Sequence, residues 1–558
     1  MSKTVLTQII SFLPKLKYNV FMGLLFAVLV ILPDYVFDAF FPNITYLTDM
    51  VFILVMFIFG FFLSMSGVLV YTLCCCLFMF MQLIQLGHIA YFARPINPLD
   101  IGKVFGEFDD IYSAGMSDID DFWFVPVAAF LPFLLMLFFE IKWRRKLYFS
   151  FIGILAVVVF LSVKPERATR RGLHSFLPPE TRYSIHNSIN SFSFYLVRGA
   201  DSANIHDIVP KDFYLPYKVE KLATSSQLVI LVMGESTSAD KMHLFNPQAR
   251  LTTPQLDKMK DEPGFAYRTA ISGAVSTHSS LPIFFNMMKE PGNIEKLTDE
   301  TTNLFRMAKE NGFRTYFYSA YDMKQTNLIG VRYIDEIITS EYRPRKFKRQ
   351  KEDFLLKLFK KLELKNGKNF VVLNFKSVHS PYEENYARHP EFDIFKPKDS
   401  SRFEEENAAY ENAVLYIDSI LGQLLDEFKR LNVADSQFIF TSDHAEMLGI
   451  PNGLYGHNQL VVESMRVPFF IYNIGGKMPL LPEGLISHYE ISEIVAQYLG
   501  YRVENPNYGR DVFFVHGNNL FEEYQFIEYH RQNGRLEKVL KDTVGEFVKK
   551  NRNKAAAE

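Results

Sequence analysis

Between Asp49 and Arg94 the chain contains no aspartate, glutamate, lysine or arginine. A helix of roughly 20 apolar residues already spans the hydrocarbon of a bilayer, so this run predicts two crossing helices. Ser64-Met-Ser-Gly67 is the natural hairpin between them. Further apolar stretches at 20–33, 122–139 and 147–163 bring the expectation to five helices. No small-residue cleavage site follows the first, which therefore reads as an uncleaved anchor and not a signal peptide. Cys74, Cys75 and Cys76 adjoin one another inside the apolar run. That spacing suits neither a disulfide framework nor a zinc site, and they read as packing residues.

The charges around these segments predict an orientation. Lys3, Lys15 and Lys17 precede the first span, and Lys142-Trp-Arg-Arg-Lys146 separates the fourth from the fifth. The intervening loops carry Asp34 and Asp38, then Glu107, Asp109, Asp110, Asp118, Asp120 and Asp121. Positive loops stay in the cytoplasm, so everything beyond about residue 165 is expected on the other side. Residues 1–165 are then a membrane domain. Residues 166–225 form a linker whose Phe176, Ile185, Ile189, Phe192 and Phe194 alternate with polar residues and suit a membrane-surface helix. Residues 226–558 are left for a domain outside the membrane.

That last region has its own pattern. Leu228-Val-Ile-Leu-Val-Met233 runs without a charge into Gly234 and Glu235, as a strand buried on both faces does. Similar strands are expected at 315–319, 370–375, 437–441 and 467–472, with helices at 300–310 and 405–430 between them. This alternation predicts an α/β domain with a largely parallel sheet. The formal net charge of −2 over 558 residues argues against a general nucleic-acid binder.

The chemistry gathers at strand ends, where open α/β sheets present their crevices. Glu235 there suits a metal ligand or a general base, although Ser236-Thr-Ser238 also fits the cap of a following helix. The strand 437–441 ends in Asp443-His444, which offers oxygen and imidazole nitrogen to one cation. His379 follows the strand 370–375, and His457 follows Gly456. A nucleophile is offered by Gly273-Ala-Val-Ser-Thr277-His-Ser-Ser-Leu-Pro282. Ser279 or Ser280 is expected to cap a helix with Pro282 in its first turn, leaving Thr277 just before a helix start. Ser276, Ser279 and Ser280 remain competitors for the role.

Met233-Gly-Glu-Ser-Thr237, Ser276-Thr-His-Ser-Ser-Leu-Pro282, His379-Ser-Pro381, Tyr410-Glu-Asn412 with Tyr416 and Asp418, Ser442-Asp-His444, Gly456-His457 and Arg466-Val-Pro-Phe469 occur in this order. With the five-helix anchor, they make the chain resemble the bacterial phosphoethanolamine transferases of the alkaline phosphatase/sulfatase superfamily. The resemblance implies an α/β/α catalytic domain with a mostly parallel central sheet, placed in the periplasm of a bacterium and anchored in its inner membrane. It implies Glu235, Thr277, Asp443 and His444 as ligands of one tightly held Zn2+, with a second zinc an open alternative and Mn2+ or Mg2+ less suited. Thr277 would also be the nucleophile. His379 and His457 would bind the phosphoryl group or the second zinc, and Lys324 would assist substrate binding. The implied donor is phosphatidylethanolamine and the implied acceptor lipopolysaccharide (core sugar or lipid A) or another envelope glycan. Members acting on lipid A carry several periplasmic disulfides, whereas no cysteine lies outside the apolar run here. A sulfatase reading fails because Ser280-Leu-Pro-Ile-Phe284 lacks the arginine that a sulfatase's active-site motif requires. Two alternatives stand beside the resemblance: a phosphoglycerol transferase of the lipoteichoic-acid-synthase type, and a non-catalytic metal-containing envelope-binding protein.

Overall fold

The computed structural model describes residues 3–555 apart from 41–47, 93–94, 99, 102–122, 144–149, 172–174, 177, 179–181, 203–207, 211, 451–452, 519 and 522. The chain divides into two compact units, Met1–Ala203 and Asn204–Glu558. The acidic residues Glu107 to Asp121 and the basic loop residues Arg144 to Lys146 lie outside the described residues.

The first unit is helical: α1 (Lys3–Phe40), α2 (Met50–Ser66), α3 (Val68–Phe92), α4 (Phe124–Trp143), α5 (Ser150–Arg170) and α6 (Ser184–Ser202). Gly67, at φ 122°, breaks the uncharged run at the expected hairpin, in a region closed to residues with a Cβ. Helices stand at all five expected places. Only Lys17–Phe37, Val68–Ala90 and Phe124–Trp143 are long and apolar enough to cross a membrane among the described residues. At 17 residues α2 is about 26 Å long, short of a hydrocarbon core of about 30 Å. The last turns of α5 carry Lys164, Glu166, Arg167 and Arg170. Polar side chains within the bundle face one another: Tyr18 donates to Glu140 at 2.5 Å and Asn19 to Ser64 at 2.7 Å. Inward pairing of this kind removes the cost of a bare polar group in hydrocarbon.

The second unit is built on an eight-stranded sheet. In chain order its strands are β1 (Leu228–Gly234), β2 (Phe265–Ile271), β3 (Phe313–Ser319), β4 (Glu336–Ile338), β5 (Lys368–Asn374), β6 (Ser436–Ser442), β7 (Arg466–Ile474) and β8 (Ile486–Ser487). Across the sheet they run β8-β2-β7-β6-β1-β5-β3-β4. Neighbours are parallel except where β7 meets β6 and β2. All seven residues of β1 are buried, and alternate ones serve opposite layers. Leu228, Ile230 and Val232 pack with the long helix α10 (Arg402–Leu431), while Val229, Leu231 and Met233 pack with α7 (Thr277–Phe285), α8 (Leu304–Glu310) and α11 (His488–Tyr498). At about 1.5–3 kcal/mol for each large apolar side chain fully buried, this strand is firmly anchored between the two layers. The other helix used below is α9 (Pro344–Phe359), between β4 and β5, kinked at Lys351.

The mostly parallel α/β/α architecture is as expected, with local corrections. The helix expected from Glu300 starts at Leu304, because Asn303 caps it by accepting from Arg306 N and Glu300 is left-handed at φ 51°. The strand expected at 467–472 runs antiparallel to both neighbours. β2 and β4 escaped the sequence reading, as did a separate antiparallel sheet of Val512–His516, Gln525–Gln532 and Arg535–Thr543. β2, β4 and Arg535–Thr543 are half-exposed along their length, so their residues lack the unbroken apolar run that marks a central strand.

Candidate metal centre

β1 and β6 lie side by side and parallel, with Gly234 paired to Ser442, so the residues that follow each strand emerge together. Glu235 follows the first and Asp443-His444 the second. The turn after β1 is held hard. Ser236 takes a left-handed φ of 53°. Its carbonyl accepts from the Tyr410 hydroxyl of α10 at 2.6 Å, and the same hydroxyl accepts from Ser238 N at 2.8 Å. Strain at a non-glycine residue persists only where the surroundings fix it, as these bonds do.

Thr277 closes the cluster from the other side. Its Oγ1 lies 3.2 Å from Glu235 Oε2 and 3.3 Å from His444 Nε2. His444 Nε2 is in turn 3.6 Å from Glu235 Oε1 and 3.4 Å from Asp443 Oδ2. The expectation for the nucleophile turn needs correcting. Ser276, extended at ψ 151°, is the N-cap, Thr277 is the first residue of α7, and Pro282 lies inside the helix. Ser279 N and Ser280 N both return to Ser276 O, which starts the helix earlier than proline placement alone indicated. Ser280 is occupied elsewhere, donating to Asp443 O at 2.5 Å, whereas Ser276 Oγ is buried with no partner.

The donor set fits a cation. Asp443 Oδ1 accepts from Ser236 N at 3.1 Å and His444 N at 2.7 Å, while its Oδ2 is buried without a hydrogen-bond partner. His444 Nδ1 faces Ala445 O at 3.0 Å and so carries the proton, leaving the Nε2 lone pair toward the cluster. Burial keeps this imidazole neutral by lowering its pKa. Burial, and then the Asp443 carboxylate, push the carboxyl of Glu235 well above the usual range. Two buried carboxylates repel in this way unless a positive charge sits between them. Ligand atoms of Glu235, Asp443 and His444 all lie within 4.8 Å of one another, the span a single ion bridges.

The remaining expected residues are placed unevenly. The His457 ring is 4.4 Å from that of His444, and with Glu446 these two histidines make a second group of potential metal donors. Burial alone would lower the pKa of His457, but its hydrogen bond to Glu446 and the charges of Glu446 and Asp443 raise it. His379 is more remote, its ring 6.1 Å from that of His457 and its Nδ1 turned to Ser380 O at 2.6 Å. Lys324 belongs to the short helical turn Met323–Thr326, and its side chain lies outside the described residues.

Several residues of the site escaped the sequence reading. Tyr321 hydrogen-bonds Glu235, and Tyr382 donates to Glu446 at 3.1 Å. His488, the first residue of α11, accepts from Gly273 N at 3.1 Å through Nδ1, so its proton is on Nε2, which faces Ser442 and Thr441. Burial lowers its pKa to about 4. One neutral imidazole thereby joins the chain leading to Thr277 with the strand leading to Asp443. Glu352 of α9 performs the same service for the loop before His379, accepting from Lys376 N at 2.7 Å and Ser377 N at 2.8 Å. Glu446 alone had a local signal, as an acid three residues beyond Asp443 in the same motif.

The donor set thus lies at the carboxyl ends of the central strands of an α/β/α sheet. The sulfatase family matches residues 227–501. YhbX of Escherichia coli K12 is 26% identical over 267 residues, 47% of this chain and 45% of that protein. Phosphoethanolamine transferase EptC of Escherichia coli K12 is 22% identical over 312 residues, 54% of this chain and 53% of that protein. The matched part spans about half the length of these curated relatives. Among solved structures, the C-terminal periplasmic domain of EptC from Escherichia coli in complex with zinc superposes with a TM-score of 0.44 at 18% identity, covering 58% of this chain and 95% of that one.

Proposed function

We propose that the chain is a zinc-dependent phosphoethanolamine transferase. It would move the headgroup of phosphatidylethanolamine to lipopolysaccharide (core sugar or lipid A) or another envelope glycan, releasing diacylglycerol. The observation that carries this reading is the position of Thr277 Oγ1, within 3.3 Å of both Glu235 and His444 and beside the unsatisfied Asp443 oxygen. Homology to EptC supports the substrate class.

Glu235, Asp443, His444 and Thr277 are the residues that would hold zinc. A bound dication supplies charge that lowers the pKa of a neighbouring hydroxyl and offsets that of a phosphoryl group. Thr277 loses its hydroxyl proton to solvent as Oγ1 attacks the donor phosphorus, and the bond from phosphorus to the diacylglycerol oxygen breaks. His457 and His379 line the approach and are suited to holding the phosphoryl oxygens, with a proton passing from one of them to the leaving oxygen. The acceptor then takes the group from Thr277. His457, Glu446 and His444 also offer a place for a second zinc. Lys324 remains the proposed contact to the substrate beyond these.

The donor decides the reading. Full-length protein in detergent with labelled phosphatidylethanolamine should release diacylglycerol, and with phosphatidylglycerol should not. Release from phosphatidylglycerol alone would make it a phosphoglycerol transferase, and zinc binding without release from either lipid a non-catalytic protein.

We place the catalytic domain on the periplasmic face of the bacterial inner membrane. The five expected spans leave it opposite the basic amino terminus and keep the Lys142–Lys146 loop on the cytoplasmic side. A reporter fused after Lys15 should behave as cytoplasmic and one fused after Ser225 as periplasmic; activity of both on one side refutes the orientation.

A further inference from the structure

The segment 343–349, which opens α9, carries a concentration of positive charge that the catalytic site does not use and of which the fold uses one contact, Lys346 Nζ lying 5.6 Å from the Phe354 ring centre. Arg343, Arg345, Lys346, Lys348 and Arg349 are all exposed, in a chain whose formal net charge is −2. Among the described residues the ion pairs of this unit pass from Arg332–Glu300 to His389–Asp353, with none at these five cations. The nearest acids in sequence are committed elsewhere. Glu341 accepts from Met323 N, Glu352 from Lys376 N and Ser377 N, and Asp353 pairs with His389 at 2.7 Å.

Folding does not explain this arrangement. Arg345 stands three and four residues from Lys348 and Arg349, and Lys346 three from Arg349, spacings at which like charges destabilise a helix. They also occupy the helix's first turns, the positive end of its dipole. The segment is nevertheless held in a defined place. Phe347 is buried and packs edge-on against Phe354 with ring centroids 4.9 Å apart, so the cations around it are presented on a fixed support. At the edge of the patch Tyr342 is 55% exposed, with the Arg343 guanidinium 5.5 Å from its ring centre. An exposed aromatic beside cations is the composition of segments that lie at a headgroup layer.

We propose that this face of α9 binds the anionic headgroups of a phospholipid bilayer. The cations stand outward on an exposed helix, which suits an extended sheet of charge better than one buried phosphate. The chain also carries apolar helices long enough to cross a membrane, so lipid headgroups are the polyanion to which this unit is always tethered.

The test uses the full chain in nanodiscs of phosphatidylcholine, with or without phosphatidylglycerol, and follows amine modification of Lys346 and Lys348 by mass spectrometry. Lys538 and Lys541, on the carboxy-terminal sheet, serve as controls. Each contact of a cation with an anionic surface is worth about a fivefold change in binding, so modification of Lys346 and Lys348 should slow at least about fivefold in the anionic discs while the controls do not change. The protection should vanish at about 1 M salt, where the screening length is about 3 Å. A variant with Arg343→Gln, Arg345→Gln and Arg349→Gln keeps both probe lysines and Phe347, and should lose most of the protection. Equal modification in the two kinds of disc overturns the proposal. Protection in phosphatidylcholine discs only on adding lipopolysaccharide, with no effect of phosphatidylglycerol, overturns it in favour of a glycan-binding face.

Discussion

Thr277→Ala is expected to abolish headgroup transfer while leaving the protein folded and inserted. If Thr277 is the covalent nucleophile, the loss should be on the order of 10⁴-fold or more, as when such a residue is removed from other enzymes. The substitution is mild for the fold. Thr277 opens α7, its neighbour Ser276 supplies the N-cap, and alanine favours a helix more than threonine does. What disappears is the oxygen within 3.3 Å of Glu235 and His444. Thr277→Ser keeps that oxygen and should retain measurable activity. Incubation of the wild-type chain with phosphatidylethanolamine and no acceptor should add a phosphoethanolamine mass to the peptide holding Thr277. The competitor to watch is Ser276, whose buried hydroxyl has no partner. An adduct on Ser276 with Thr277→Ala still active would move the role by one residue. Transfer without any adduct would replace the two-step scheme by direct attack of the acceptor.

The parts of this molecule legible from sequence are those where one physical requirement dominates. A central parallel strand must be apolar on both faces, and Leu228–Gly234 shows this without ambiguity. Glu235 and Asp443-His444 were found because they follow such strands directly. The limits of α7 were less legible, since Pro282 is compatible with a first-turn position and does not require one. Tyr410 was visible within a motif but its partner was not, and Tyr321 and His488 could not be read at all. Each meets its partner across a long stretch of sequence: Tyr410 is 174 residues from Ser236, and His488 is 215 from Gly273. Only the sheet order brings them together. The anchor shows the converse: composition found five helices, but whether each can cross depends on length and on where charges begin, and α2, at 17 residues, and α5, with charges in its last turns, are where these two requirements bear.

The second large effect expected is on metal content. Asp443→Asn and Glu235→Gln should each lower zinc affinity by more than about 100-fold, since even residues that only orient a ligand cost 10–100-fold. Asp443 is the sharper test. Its Oδ1 holds the turn by accepting from Ser236 N and His444 N, a role the amide oxygen of asparagine retains. Its Oδ2, buried and without a partner, becomes an NH2 group that cannot ligate. The backbone is preserved and a charge is lost from a place where two carboxylates repel, as the raised pKa of Glu235 records. Stability should therefore respond in opposite directions. Chelation should lower the melting temperature of the wild type, because a ligand at 100 times its Kd contributes about 2.7 kcal/mol. Asp443→Asn should not respond to zinc or chelator, and without metal should melt above the chelated wild type, having shed a buried charge that has no partner. Zinc content per chain, measured on protein purified without added metal, reports the same loss independently of activity. If Asp443→Asn retains wild-type zinc and the wild-type response to chelator, Asp443 is not a ligand. Its unsatisfied oxygen would then need another explanation.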